Sequence, residues 1–94
     1  MEFLVEIHVN LAEVPEERQS QLRDEEARRG RELLAAGKLR RIWRIPGRLA
    51  NVSLYDAVDA TELHALLTSL PLWPWMDVHV HPLAVHPLEN AEPS

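Results

Sequence analysis

Alternation of apolar and polar residues predicts the first strand of the chain. From Phe3 to Val9 every second residue is apolar, and the intervening positions include Glu6 and His8. A period of two is typical of a strand whose two faces meet different surroundings. The same pattern predicts three further strands, at 39–45, 52–55 and 75–81, the last with Met76, Val78 and Val80 on one face.

Helical spacing and capping residues predict two helices between these strands. Pro15 suits the first turn of a long helix, and Gly37 supplies its C-terminal stop. A shorter helix begins at a cap provided by Asp59 or Thr61 and runs to Leu70, with leucines along its buried side. The order of elements is therefore strand, helix, strand, strand, helix, strand.

This order predicts an α+β fold of the ferredoxin-like type. Two βαβ halves with right-handed crossovers give a four-stranded antiparallel sheet with both helices on one face. The bare face would carry Leu4, Ile42 or Trp43, and Trp75, depending on register, and an apolar face of this kind needs a cover. We expect a dimer that closes sheet against sheet, with a cavity between sheet and helices.

The two ends of the chain differ in composition. We expect residues 1–82 to form the domain and residues 83–94, which lack a clear period, to form an extended C-terminal arm. The N-terminus lacks the basic region and apolar core of a signal peptide, and no apolar run approaches the length of a membrane span. We therefore expect a soluble cytoplasmic protein that does not bind membranes.

Composition excludes several classes of function. Among 94 residues there is no cysteine, which excludes disulfides, thiolate metal sites and a cysteine nucleophile. The formal net charge of −5 argues against nucleic acid as a partner. Only three glycines are present and no phosphate-binding loop is formed, while Ser53 lacks the setting of a hydrolase nucleophile.

An arginine-rich hairpin is predicted between Arg40 and Asp56. Pro46 fixes φ at the first corner of its turn, and Gly47 tolerates a positive φ at the second. Because arginine holds carboxylates through two parallel hydrogen bonds, the hairpin indicates a site for a small carboxylate. The alternative is that each arginine pairs with a helix glutamate or solvates the hairpin edge. The candidate binding residues here are Arg41, Trp43, Arg44, Arg48 and Asn51.

Glu26 is the candidate general base. Helical spacing puts it in line with Leu22, Gly30 and Leu33, inside the inward face of the first helix. A carboxylate aimed into a cavity is partly desolvated, which raises its pKa toward that of a useful base. The alternative is a glutamate at the edge of this face that reaches water or pairs with Arg23 one turn earlier.

His79 and His81 point to the same side of the last strand. A His-x-His pair is half of a metal site, but histidines at a strand end beside proline are more often surface or interface residues. Asp77 shares their face and would orient His79. We therefore predict neither a metal nor another cofactor.

Five segments together resemble the muconolactone delta-isomerase family. They are Ile42–Ile45, Gly47, Ala50–Asn51, Leu70–Val78 and His86–Pro87. The resemblance spans nearly the whole chain, and the Leu-Pro-Leu-aromatic-Pro-aromatic-Met run is its most specific part. It implies the ferredoxin-like fold, homodimers that assemble into decamers, and a reaction without metal or cofactor.

The resemblance also implies a chemistry. Members of the family shift a double bond within an unsaturated lactone of the β-ketoadipate pathway, in aromatic catabolism, by moving a proton. The family's glutamate on the first helix falls on Glu26, the general base, and Arg23 is the second catalytic candidate. Trp43, Trp73 and Trp75 would exclude water, while the arginines would hold a small lactone carboxylate.

Two positions depart from the family pattern. A lysine stands in the family where this chain has Arg23, and a His-Tyr pair where it has Arg48 and Leu49. Two alternatives therefore stay open. One is a relative that catalyses another proton transfer or a cyclisation in secondary metabolism. The other is a non-catalytic dimeric barrel that binds small carboxylates, with Glu26 as a structural partner of Arg23.

Overall fold

The fold has the predicted order of elements. A computed structural model describes residues 1–89. Its elements are β1 (Glu2–Val9), α1 (Glu16–Ala35), β2 (Leu39–Arg44), β3 (Ala50–Asp56), α2 (Ala60–Thr68) and β4 (Met76–Leu83). The strands lie in the order β2-β3-β1-β4, and each neighbouring pair is antiparallel. The ferredoxin-like sheet is thus confirmed.

The main core lies between one face of the sheet and both helices. Alternate residues of β1 point into it, and their burial is nearly complete, with 1% exposure at Phe3 and none at Val5. Burying an apolar side chain of this size stabilises the fold by about 1.5–3 kcal/mol. The helices contribute Leu33 from α1, and Leu63 and Leu67 from α2.

The predicted capping residues bound both helices, although α2 ends at Thr68, before the predicted Leu70. Asp59 caps α2, because its side chain accepts a hydrogen bond of 2.8 Å from the Glu62 backbone N–H. Of the two predicted caps, Asp59 is therefore the one used. Gly37 terminates α1 with a φ of +74°, and the next N–H, that of Lys38, donates to the Leu33 carbonyl at 3.0 Å.

The hairpin turn fixes which arginines face the helices. Gly47 has a φ of +77°, and Arg48 N–H donates to the Ile45 carbonyl at 3.2 Å, which closes the turn. Arg44 then pairs with Asn51 across the two strands. An irregularity between Leu39 and Arg41 shifts the register near the start of β2. Leu39, Ile42 and Arg44 consequently face the helices.

The opposite, outer face of the sheet is partly apolar. Leu4 and Trp43 lie on it, as predicted, opposite Leu54 and Val52 of β3. The prediction that Trp75 shares this face is wrong. Trp75 belongs to a 3-10 helix that precedes β4 and packs on a second small core of Val14, Leu22 and Leu72. Ile42, the alternative to Trp43, faces the helices instead.

The final strand runs slightly further than predicted. β4 continues through Pro82 to Leu83, which pairs with Glu2. Residues 84–89 are exposed, and the rest of the predicted arm, residues 90–94, lies outside the described residues. The domain boundary and the arm therefore stay predictions. Within residues 1–89, no helix is long and apolar enough to cross a membrane.

Candidate active site

A cavity of about 410 Å³ opens between α1 and the sheet. This volume is within the range of small-molecule sites. α1 lines it with residues three or four apart, from Arg23 to Leu34, and the inward faces of β2 and β3 line the opposite wall. Its polar side chains are Arg23, Glu26, Arg31, Arg44, Asn51 and Tyr55.

Glu26 projects into this cavity from the middle of α1. It is half-buried, and its Oε1 accepts a hydrogen bond of 2.9 Å from the Leu72 backbone N–H. Burial raises the pKa of the Glu26 carboxyl above its usual value of 4.5, and the Leu72 hydrogen bond opposes this shift with a smaller effect. Among residues 1–89, no basic side chain forms an ion pair with Glu26. The pairing with Arg23, which was the alternative interpretation of this glutamate, is therefore not formed.

The segment after α2 supplies the hydrogen-bond donor to Glu26. Pro71 and Pro74 end regular structure here, and a 3-10 turn closes through Trp75 N–H donating to the Leu72 carbonyl at 2.9 Å. The Leu72 N–H is left outside any helix or strand and points to the carboxylate. The Leu-Pro-Leu run, which carries much of the family resemblance, thus positions the candidate base.

Arg23, Arg44 and Asn51 all line the cavity, and Arg44 lies opposite Asn51 across the hairpin; we call this part of the cavity the arginine end. In the part of the chain that the structure describes, neither arginine has an acidic partner within ion-pair distance. The buried Ser53 hydroxyl donates to Asn51 Oδ1 at 2.7 Å. The Asn51 amide NH2 is therefore the group left to donate to a ligand. This end can bind a carboxylate.

The other predicted site residues lie outside this cavity. On the outer sheet face, the Arg41 guanidinium lies over the Trp43 ring, 4.9 Å from its centre. Arg48 is exposed in the hairpin turn. Trp73 and Trp75 lie in the segment after α2, packed on the two cores. The structure thus brings together Glu26, Arg23, Arg44 and Asn51, but not these five, whose roles stay predictions.

Tyr55 is a cavity residue that the sequence analysis missed. Its side chain is only 2% exposed, and it lies four residues after Asn51 on the same face of β3. Burial raises the pKa of the Tyr55 phenol to about 12, and the nearby Glu26 charge adds to this shift, while Arg29 opposes it. The phenol stays protonated at neutral pH and remains a hydrogen-bond donor. Strand periodicity from Asn51 would have found it.

Gly30 is the second missed residue. It is half-buried in the cavity wall, in the interior of α1, where glycine costs about 1 kcal/mol relative to alanine. Apart from its chain neighbours and the nearby backbone of α1, no atom of the described chain lies within 4 Å of a Cβ added at this position. Packing inside the chain therefore gives no reason for a glycine here.

The histidines of β4 take no part in this cavity. His79 Nε2 lies 3.6 Å from Asp77 Oδ2 on the outer face, as predicted, and His8 Nε2 lies 3.1 Å from Glu6 Oε2 on the adjacent strand. No three His, Cys, Asp or Glu residues within the described range are placed to hold one metal ion.

The fold and cavity define a ferredoxin-like protein with a candidate small-molecule site around a half-buried carboxylate. A family model described as "Muconolactone delta-isomerase" matches residues 1–89. The chain belongs to the muconolactone delta-isomerase family. This confirms the resemblance from the sequence.

Individual relatives agree with this assignment. Muconolactone Delta-isomerase 2 of Acinetobacter lwoffii is 41% identical over 87 residues, which cover 92% of this chain and 91% of the relative. The Cupriavidus pinatubonensis protein of the same name is 39% identical, with 93% and 96% covered. A crystal structure of muconolactone isomerase superposes with a TM-score of 0.85 at 36% identity, covering 93% of this chain and 92% of that one.

Proposed function

We propose that this chain is an isomerase that shifts a double bond in muconolactone or a closely related unsaturated lactone carboxylate. The observation that carries the proposal is Glu26, a half-buried carboxylate of raised pKa inside the cavity of a chain that belongs to this family. No ion pair among residues 1–89 neutralises it. Such a group is suited to accept a proton from carbon.

The reaction needs a single proton to move between two carbons. The Glu26 carboxylate removes the proton from the ring carbon beside the double bond, and the electron pair delocalises onto the lactone carbonyl oxygen. The carboxyl then returns the proton at the other end of the three-carbon system, and the double bond ends one position along. Nothing is oxidised or reduced, so we propose that no cofactor takes part.

The arginine end of the cavity would hold the carboxylate of the substrate. Arg23 and Arg44 lack acidic partners among the described residues, and Asn51 has an NH2 group free to donate. Hydrogen bonds to charged groups are the strong ones, and two arginines would also stabilise the negative charge of the intermediate.

Incubation with muconolactone tests this function directly. NMR of the mixture should show the ring double bond moving to its new position with no net gain of hydrogen, and in D2O up to one deuterium should enter the ring at the carbon that receives the proton. The absence of isomerisation by folded protein would contradict the proposal and leave the two alternatives, another proton transfer or ligand binding alone. Arg23 and Glu26 form no ion pair, so the contact on which the binding alternative rested is not formed.

The pH dependence of turnover should report the raised pKa of Glu26. Only the carboxylate form accepts a proton, so kcat/KM should fall as pH drops through a pKa above the usual 4.5. Initial rates across a series of buffers at constant ionic strength would measure this limb. A profile that stays flat to below the ordinary glutamate range would contradict Glu26 as the base.

We also propose a homodimer, assembling further to a decamer, and a cytoplasmic location. The outer sheet face with Trp43, which is 44% exposed, and Leu4 supports a sheet-to-sheet contact. Trp43→Glu should shift the protein toward monomer in sedimentation experiments, because it places a charge in this face. Val58→Glu, at an exposed position before α2, is the control and should leave the mass unchanged. Equal masses for both variants would contradict this interface.

A further inference from the structure

The cavity has a second end, opposite the arginine end, which we call the tyrosine end. It is formed by Gly30 of α1, Leu39 of β2 and Tyr55 of β3. Leu39 and Tyr55 face each other across the two strands. Since α1 runs antiparallel to β2 along the cavity, this end adjoins the last turns of the helix, while the arginine end adjoins its first turns.

The Tyr55 hydroxyl is a donor with no partner in the described chain. The side chain is 98% buried, yet no hydrogen bond joins its oxygen to any residue between 1 and 89. Among residues 1–89, every side-chain oxygen that is sealed from solvent has a hydrogen-bond partner. The Tyr55 hydroxyl has no partner, so its oxygen must be accessible from the cavity. Burying a phenol without a partner is unfavourable unless a ligand or water completes its hydrogen bond.

Gly30 lines the same cavity and leaves space in its wall. Apart from its chain neighbours and the nearby backbone of its own helix, no atom of the described chain lies within 4 Å of a Cβ added at Gly30. Glycine destabilises the interior of α1, and the packing around Gly30 does not require a glycine there. The consequence of the glycine is a larger tyrosine end.

The two ends are formed by residues that lie at different positions along β3. Asn51 and Tyr55 lie four residues apart on one strand, which places their Cα atoms roughly 13 Å from each other. Glu26 lies on the opposite wall and is close enough to Tyr55 for its charge to act on the phenol. With the carboxylate at the arginine end and the reacting carbons at Glu26, a substituent on the lactone ring that points away from the arginine end would lie toward the Tyr55 hydroxyl.

We propose that the tyrosine end is a specificity subsite that accepts a polar substituent on the lactone ring, with the Tyr55 hydroxyl donating to it and Gly30 making room. The preferred substrate is then a ring-substituted lactone carboxylate, larger than muconolactone. This inference rests on the proposed function for the position of the reacting carbons. Tyr55 acts in it as a binding residue, and Gly30 acts by its lack of a side chain.

Steady-state kinetics with two probes tests the subsite. The probes are muconolactone and an analogue with a methoxy group on its lactone ring. Wild-type protein should turn over the methoxy lactone at least as efficiently as the unsubstituted one. Tyr55→Phe should lower kcat/KM about threefold to tenfold for the methoxy lactone only, the range of one neutral hydrogen bond. Gly30→Ala should lower it about tenfold or more, again selectively, because a methyl group fills the space.

A matched helix variant separates this effect from stability. Ser20→Ala replaces an exposed residue of the same helix outside this cavity by a better helix former, as Gly30→Ala does. Both variants should raise the melting temperature, but only Gly30→Ala should change the ratio of kcat/KM for the two probes. Turnover of muconolactone but not of the methoxy lactone by wild-type protein, or equal losses on both probes in Tyr55→Phe and Gly30→Ala, would overturn the subsite.

A binding measurement keeps this inference distinct from the proposed function. Tyr55 is the sole tyrosine of the chain, so protein with 13C-labelled tyrosine gives a single ring signal. In the Glu26→Gln variant the methoxy lactone should shift that signal more than muconolactone does. Such a shift without turnover by the wild type would retain the subsite and reject the isomerase. Turnover without any shift would retain the isomerase and reject the subsite.

Discussion

Replacing Glu26 by glutamine is expected to lower kcat on the lactone by about 10²–10⁴-fold, the usual contribution of a positioned general base. Glutamine has nearly the same size and retains an oxygen that can accept the Leu72 N–H. It cannot accept a proton from carbon. Stopped-flow or steady-state assays of the purified variant measure the loss, and near-normal turnover would contradict the role of Glu26.

The same substitution should not lower stability at neutral pH. Burial raises the pKa of Glu26 in the folded state above its value in the unfolded chain, so the unfolded state releases this proton at lower pH. Wild-type stability therefore falls as pH rises from 4.5 through the raised pKa. Glu26→Gln removes this loss, and its melting temperature should match or exceed that of wild type at pH 7. The difference should disappear in acid.

Glu25 provides the control for charge. It lies next to Glu26 on α1, outside the cavity, and accepts a hydrogen bond of 3.0 Å from Gln21. Glu25→Gln removes the same charge and should leave kcat unchanged. If Glu26 were only a structural residue, its variant would lose stability along with activity, which this pair of measurements would reveal.

The fold was predictable because local signals agreed with one another. The period-two pattern of β1, the Gly37 stop and the Asp59 cap all indicate the elements that form. The position of Trp75 was not predictable from periodicity, since it lies where a strand pattern begins. The two prolines before it, Pro71 and Pro74, favour a 3-10 helix instead, and the Trp75 indole packs on the small core beside α1.

The candidate site was only partly predictable. The inward position of Glu26 follows from helical spacing, because its neighbours on the inward face of α1 include core residues. The hairpin arginines look equivalent in sequence, but strand alternation sends Arg44 to the cavity and Arg41 to the outer face, and only the true register decides which. Tyr55 and Gly30 carry no motif. Their significance arises from an unpaired hydroxyl and an open space, which are properties of the folded chain.

Arg23 and Arg44 are expected to control substrate affinity. Arg44→Met should raise KM about tenfold to a hundredfold, the range for losing a charged hydrogen bond, and Arg23→Met should act in the same direction. Arg44→Lys should recover part of the loss, since it keeps the charge but not the two parallel hydrogen bonds. Lactone assays over a wide substrate range separate KM from kcat.

Arg28 provides the control for these arginine variants. It is exposed on α1 and does not line the cavity, so Arg28→Met removes one positive charge without touching the site. If the arginine end holds the carboxylate, Arg28→Met leaves KM unchanged, and the effect of Arg44→Met shrinks for a substrate analogue whose carboxylate is replaced by an amide. A loss in kcat with unchanged KM would instead indicate that Arg44 stabilises the negative charge that develops on the lactone oxygen. Equal effects of Arg28→Met and Arg44→Met would mean that both arginines act only by long-range attraction of an anion. This result would contradict the arginine end as a binding site.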